Sequence, residues 1–152
     1  MKNTTLCYIE NCGKYLMMHR IKKENDENRD KWIGLGGKLE PGESPYDCVR
    51  REVFEESGLV IDSPKYRGIV TFVSDIYGTE YMHLFTATEF SGDLNSAGDE
   101  GVLQWVDKAE IASLPLWEGD KIFLGLLDTE IPHFSLKLEY EGEKLISHTL
   151  EY

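Results

Sequence analysis

Residues 37–59, GKLEPGESPYDCVRREVFEESGL, carry the start and stop signals of one helix and set three carboxylates along it. Ser44-Pro45 opens the helix. A serine hydroxyl accepts from a first-turn amide, and proline at the first helical position gives up no needed donor. Asp47 follows three residues later, a near capping box with Asp in place of Glu. Gly58 ends the helix because glycine readily takes the left-handed cap conformation. The interval predicts a helix of roughly a dozen residues. On it Glu52, Glu55 and Glu56 stand at i, i+3 and i+4, within one arc of about 100°. Tyr46, Val49 and Val53 form the neighbouring apolar stripe, expected to anchor the helix to a core.

Three carboxylates on one short face repel one another, by a few tenths of a kcal/mol per pair on a bare helix (~0.2–0.5). A hard divalent cation removes that repulsion, and carboxylate oxygens are the ligands that Mg²⁺ or Mn²⁺ prefers. Arg51 lies four residues before Glu55 and can fix a carboxylate with its planar fork. Upstream, Gly34-Leu35-Gly36-Gly37 permits close backbone approach, so a carbonyl can reach the same metal. A solvated acidic face would account for Glu-x-x-Glu-Glu alone. With Gly37, Glu43, Arg51 and Gly58 also in register, a metal site is the better reading.

The chain has 152 residues, enough for one domain with a core and too few for two ordinary ones, so 1–152 is read as a single domain. Its 41% hydrophobic and 29% charged content fits a soluble globular protein. The net charge of −12 argues against binding a nucleic-acid polymer or an anionic membrane, both of which want a basic surface. It also disfavours a free nucleotide anion, so a metal must invert the field locally. No apolar run is long enough to span a membrane, and the start MKNTTLCYIENCGK lacks a signal-peptide core. Cys7, Cys12 and Cys48 follow no metal or disulfide spacing and read as reduced thiols in a cytoplasm.

Thr4–Glu10 and Lys14–Arg20 read as a hairpin about Asn11-Cys12-Gly13, and Lys65–Asp75 and Thr79–Phe90 as another about Tyr77-Gly78. The polar stretch Lys22–Lys31 reads as a mobile connector, or as a lid from its place before the glycines. Leu103–Val106 is a short strand, with a short helix from Asp107 to Ile111 and another from Gly119-Asp120 to Leu127. Phe134–Tyr140 and Lys144–Leu150 alternate as a closing hairpin about Glu141-Gly142-Glu143. His19 and His83 have no ligand spacing and read as structural or exposed, and the run around Trp105 reads as core. Mixed strands with two principal helices predict an α+β or α/β/α sandwich, between which periodicity alone does not choose.

In single letters the opening segment is G-x5-E-x7-R-E-V-x-E-E-x-G-L, which matches the Nudix box at every defining position. The resemblance implies the Nudix fold with a mixed β-sheet, and hydrolysis of a nucleoside diphosphate linked to another group. It implies one to three Mg²⁺ ions on the substrate's diphosphate bridge. By motif position Glu55 and Glu56 look like principal metal ligands and Glu52 like a ligand or the base that activates water. Gly36 would supply a carbonyl ligand, and Glu43 and Arg51 would orient the others.

The likeness extends outside the box. Lys31-Trp32-Ile33-Gly34-Leu35-Gly36-Gly37-Lys38 resembles the entry to the box in MutT-type oxidised-purine nucleoside triphosphatases. Trp117-Glu118-Gly119-Asp120 and the terminal hairpin resemble the vertebrate enzymes that clear 8-oxo-dGTP. This implies a nucleotide substrate met by Arg20, Trp32, Lys38, Trp117 and Asp120, with Trp117 stacking on a purine and Asp120 on a base edge. Asp99-Glu100 resembles an acidic loop that brings one more metal ligand, Glu100 being the expected one. Two positions depart from the vertebrate pattern: Ile33 stands for an Asn, and Gly119-Asp120 for two adjacent Asp residues. The implied activity is an 8-oxo-dGTP or related purine nucleotide diphosphatase that sanitises the nucleotide pool. Hydrolysis of ADP-ribose or dinucleoside polyphosphates, and a non-catalytic nucleotide-binding regulator, are the other readings.

Overall fold

Strand β1 (Lys2–Asn11) is buried on both faces, and that fixes the architecture around it. Leu6 and Tyr8 point into one apolar cluster and Cys7 and Ile9 into a second, as period-two alternation demands. The computed structural model describes residues 2–21, 24–95 and 101–152. Among them β2 (Lys14–His19), β3 (Trp32–Ile33), β4 (Val60–Asp62), β5 (Lys65–Ser74), β6 (Gly78–Ala87), β7 (Glu89–Ser91), β8 (Val102–Asp107), β9 (Phe134–Glu141) and β10 (Lys144–Glu151) complete the strands. The helices are α1 (Pro45–Ser57), α2 (Asp120–Leu127) and a short 3-10 turn at Lys108–Ser113.

The sheet runs β10-β9-β5-β6-β1-β2-β3, with β8 pairing β2. It is mixed: β1 lies parallel to β6 and β5 parallel to β9, and the other pairs are antiparallel. Val49 and Val53 of α1 join the cluster with Cys7 and Ile9, whereas Phe123, Leu124 and Leu127 of α2 join that with Leu6 and Tyr8. One helix therefore covers each face, the α/β/α sandwich expected of the Nudix fold. No described helix is long and apolar enough to cross a membrane.

β1 and β2 pair only near their shared turn, at Glu10 with Tyr15 and Asn11 with Lys14, and then splay apart. The glycine segment fills the opening. Cys7 and Leu35 exchange backbone bonds (2.6 and 3.0 Å), and the Thr5 N–H donates to the Gly37 carbonyl (2.8 Å). At the other helix, a bulge between Tyr66 and Gly68 accompanies the burial of Arg67. Its guanidinium donates to the Leu127 and Ile131 carbonyls (both 3.2 Å), holding the C-terminal end of α2.

Several expectations need correction. Val49 and Val53 are wholly buried, but Tyr46 is 40% exposed and is not a core anchor; its ring meets Phe85 edge-on. The strand expected over Thr79–Phe90 is two, β6 and β7, and β7 turns away to pair with β4. The short helix after β8 is a 3-10 turn displaced to Lys108–Ser113. Lys22 and Lys23 lie outside the described residues; within 26–31 the connector is bonded to the fold. The Asp26 side chain is 6% exposed and accepts from Arg20 Nε (2.7 Å), and Asn28 accepts from Trp117 Nε1 (2.8 Å).

Candidate active site

The box helix forms for the local reasons its sequence states. The Ser44 hydroxyl accepts from the Asp47 amide, the Asp47 carboxylate accepts from the Ser44 amide, and Gly58 closes the helix at φ 76°. That fixes the rotation of α1 and turns Glu52 and Glu56 toward the glycine segment. Leu35 and Gly37 direct their bonds to β1, so Gly36 between them faces the helix, and its N–H donates to Glu56 Oε1 (2.9 Å). Neither position has room for a side chain as the site stands. A Cβ at residue 36 would come within 1.9 Å of the Thr5 carbonyl oxygen, and one at residue 37 within 2.5 Å of Glu52 Cδ.

Arg51 binds the acidic cluster together. Its fork grips Glu43 through Nε (2.6 Å) and Nη2 (2.8 Å), and Nη1 donates to Glu52 (2.8 Å) and Glu55 (3.3 Å). Nη2 also reaches the Lys38 carbonyl at 3.1 Å, which ties the helix to the end of the glycine segment. The Arg51 bonds hold the Glu43 carboxyl down at about 2, with help from the Glu40 amide. Glu43 in turn keeps the guanidinium protonated well beyond its ordinary range.

The donor chemistry suits a hard cation, because Glu52, Glu55 and Glu56 offer carboxylate oxygens. Among the described residues, however, no three acidic, His or Cys side chains converge as a ready metal cage. Glu52 and Glu55 are turned to Arg51 and the buried Glu56 to the Gly36 amide. Glu100 lies outside the described residues.

One cavity of about 840 Å³ runs from this cluster across the face of β1. Gly36, Gly37, Lys38 and Glu52 line one end, and Phe72, Trp117, Asp120, Phe123 and Tyr140 the other. Arg20 also lines it, with its Nε on Asp26. Of the residues expected to meet substrate, Trp32 is not a cavity wall. Its ring stacks on His19 (4.5 Å, 6°) and its amide donates to the Pro115 carbonyl, so it supports the loop before Trp117. His83 is structural too, bonded to the Tyr66 hydroxyl at 2.9 Å.

Asp120 is 4% exposed at the first turn of α2. Burial pushes its carboxyl up to about 8; Glu80 adds to the shift and Lys31 opposes it. Sequence reasoning missed Lys2, Thr4, Glu80 and Tyr140. Between the two ends of the cavity, Lys2 bridges Glu27 (3.1 Å) and Glu80 (3.4 Å), and the Thr4 hydroxyl donates to Glu80 (2.7 Å). The available signal was alternation. Lys2 and Thr4 share a face with Leu6 and Tyr8, and Glu80 shares one with Met82 and Leu84, so polar groups continue an apolar stripe.

Comparison with known proteins agrees with this geometry. The family model described as NUDIX domain matches residues 2–127. An uncharacterized Nudix hydrolase of Bacillus subtilis is 34% identical over 124 residues, 79% of this chain and 75% of the relative. The oxidized purine nucleoside triphosphate hydrolase of Danio rerio is 30% identical over 153 residues, 99% of this chain and 94% of the relative. Among solved structures, a MutT protein from Bacillus halodurans superposes with a TM-score of 0.89 at 28% identity, covering 99% of this chain and 98% of its own. With the box residues gathered at the end of one cavity in that fold, the chain belongs to the Nudix hydrolase family.

Proposed function

We propose that residues 1–152 form one cytoplasmic Nudix hydrolase domain, a Mg²⁺-dependent nucleoside triphosphate diphosphatase in which Mn²⁺ can substitute. Its substrate is 8-oxo-dGTP or a related oxidised purine nucleotide, its products are the monophosphate and diphosphate, and its role is sanitation of the nucleotide pool. The observation that carries this reading is the continuity of one cavity from the Glu52 end to the Trp117 and Asp120 end. A base, a sugar and a phosphate chain need such a polar-to-aromatic gradient. The likeness to an oxidized purine nucleoside triphosphate hydrolase over 99% of the chain supports the same substrate class.

Glu52, Glu55, Glu56, the Gly36 carbonyl and Glu100 would hold the metal. When bound, it supplies charge neutralisation on the bridging phosphates and acidifies a water. Glu52, the box carboxylate on the cavity wall, takes the proton from the attacking water. Arg51 and Glu43 keep that carboxylate aimed, and Lys38 and Arg20 meet the anionic chain. Trp117 stacks on the purine, and Asp120 meets its edge.

The test is product formation with Mg²⁺ across 8-oxo-dGTP, dGTP, the other canonical nucleotides, ADP-ribose and diadenosine polyphosphates. Diphosphate release with kcat/KM at least about tenfold higher for 8-oxo-dGTP than for dGTP is the expected result. Better turnover of another nucleotide sinks the oxidised-guanine assignment. No turnover of any substrate sinks the enzyme reading in favour of a nucleotide-binding regulator.

A further inference from the structure

Tyr140 stands where β9 meets the start of α2, at the aromatic end of the cavity. Its ring contacts Trp117 edge-on (5.3 Å, 81°) and lies nearly parallel to Phe72 (6.4 Å, 28°), so it joins the two aromatic walls. Its hydroxyl oxygen accepts from the Gly119 N–H at 2.7 Å. That seat exists because residue 119 has no side chain: a Cβ there would come within 2.7 Å of the Tyr140 oxygen and 2.5 Å of Leu138 Cδ1. Gly119 and Tyr140 are a matched pair.

A phenol that accepts one bond still has a proton to donate. No acceptor among the described residues takes it. Burial also holds the phenol above its ordinary value, so the proton stays. Leu6, Phe72, Met82 and Phe123 keep this end apolar, and an unmatched donor there costs binding.

We propose that Tyr140 is a specificity-determining residue whose hydroxyl, seated by Gly119, donates to a ring carbonyl of the bound nucleobase beside the Asp120 carboxyl, favouring oxo-bearing over amino-bearing edges. Asp120 cannot make that choice alone. A protonated carboxyl offers one donor and one acceptor, and pairs equally well with a lactam edge (C=O and N–H) or an amidine edge (N and NH₂). The added donor from Tyr140 breaks the tie, because an amino group opposite it sets donor against donor. The inference rests on the reading that a nucleobase occupies this end of the cavity.

The experiment is calorimetric titration of the protein with dIMP and dAMP, monophosphates that differ only at the six-position edge. Wild type should bind dIMP about tenfold more tightly, equivalent to about 1.4 kcal/mol. Tyr140→Phe keeps the ring and should bring the two within about twofold by weakening dIMP alone. Gly119→Ala, which displaces the hydroxyl, should act in the same direction. A wild type without preference, or a Tyr140→Phe variant that melts normally and keeps the wild-type ratio, overturns the assignment. If triphosphate turnover persists in that case, the proposed function stands and only the role of Tyr140 falls. If wild type neither binds a monophosphate nor turns over a triphosphate, both fall.

Discussion

At the scale of single residues, two side chains concentrate the electrostatics of the site. Asp120 has an ordinary value of 3.8 and is raised to about 8 in the fold. Between those values the native state holds a proton that the unfolded chain has released. The contribution of Asp120 to stability is therefore full below about pH 4 and is lost as pH rises to about 8. Asp120→Asn keeps the shape and removes the titration. The melting temperature of the variant relative to wild type should climb steadily from pH 5 to pH 8.5, and a flat difference would show that Asp120 is charged throughout. Arg51 makes the opposite kind of contribution, by geometry. A lysine cannot reproduce its two-pronged hold on Glu43 together with its bonds to Glu52 and the Lys38 carbonyl. Arg51→Lys should lower kcat/KM by about 10–100-fold while shifting the melting temperature little. Full activity in Arg51→Lys would mean that the carboxylates do not need its aim.

At the scale of elements, the glycine segment and α1 work as one unit, and the two glycines predict different failures. A methyl at residue 37 meets the movable end of Glu52, so Gly37→Ala should fold and lose turnover by orders of magnitude as that carboxylate is displaced. A methyl at residue 36 meets the Thr5 backbone, which cannot step aside without breaking the Cys7–Leu35 and Thr5–Gly37 bonds. Gly36→Ala should therefore lose stability as well, seen as a lower melting temperature by circular dichroism. Equal melting of the two variants would refute this division. The helix itself was legible in the sequence to within a residue, because Ser44, Asp47 and Gly58 act within one turn of where they stand. β3 and β4 were not legible. Two or three residues hold no periodicity, and both strands exist because of distant partners, β2 and β7. The connector and Tyr140 fall outside local reading for the same reason. Asp26, Asn28 and Tyr140 gain their meaning from Arg20, Trp117 and Gly119, and no spacing rule links those positions.

At the scale of the whole molecule, the terminal hairpin divides into a strand the fold needs and a strand it can lose. β9 lies between β5 and β10, and Phe134, Leu136, Leu138 and Tyr140 alternate into the cluster that seats α2. β10 is the edge strand; Leu145 and Leu150 are only partly buried, and Ile146 is 56% exposed. A fully buried aliphatic side chain contributes roughly 1.5–3 kcal/mol, so two half-buried leucines together contribute about 1.5–3 kcal/mol. Against a typical reserve of about 5–15 kcal/mol, that loss is survivable. A chain ending at Glu143 should keep a cooperative transition lowered by roughly 5–10 °C, and because Tyr140 remains it should keep its base preference. A chain ending at Ile131 loses four core side chains and bares the edge of β5, and α2 loses the wall that positions Asp120. It should show no cooperative melt by circular dichroism. A cooperative transition in that shorter chain would mean that the matched segment 2–127 carries the fold alone and that β9 only decorates it.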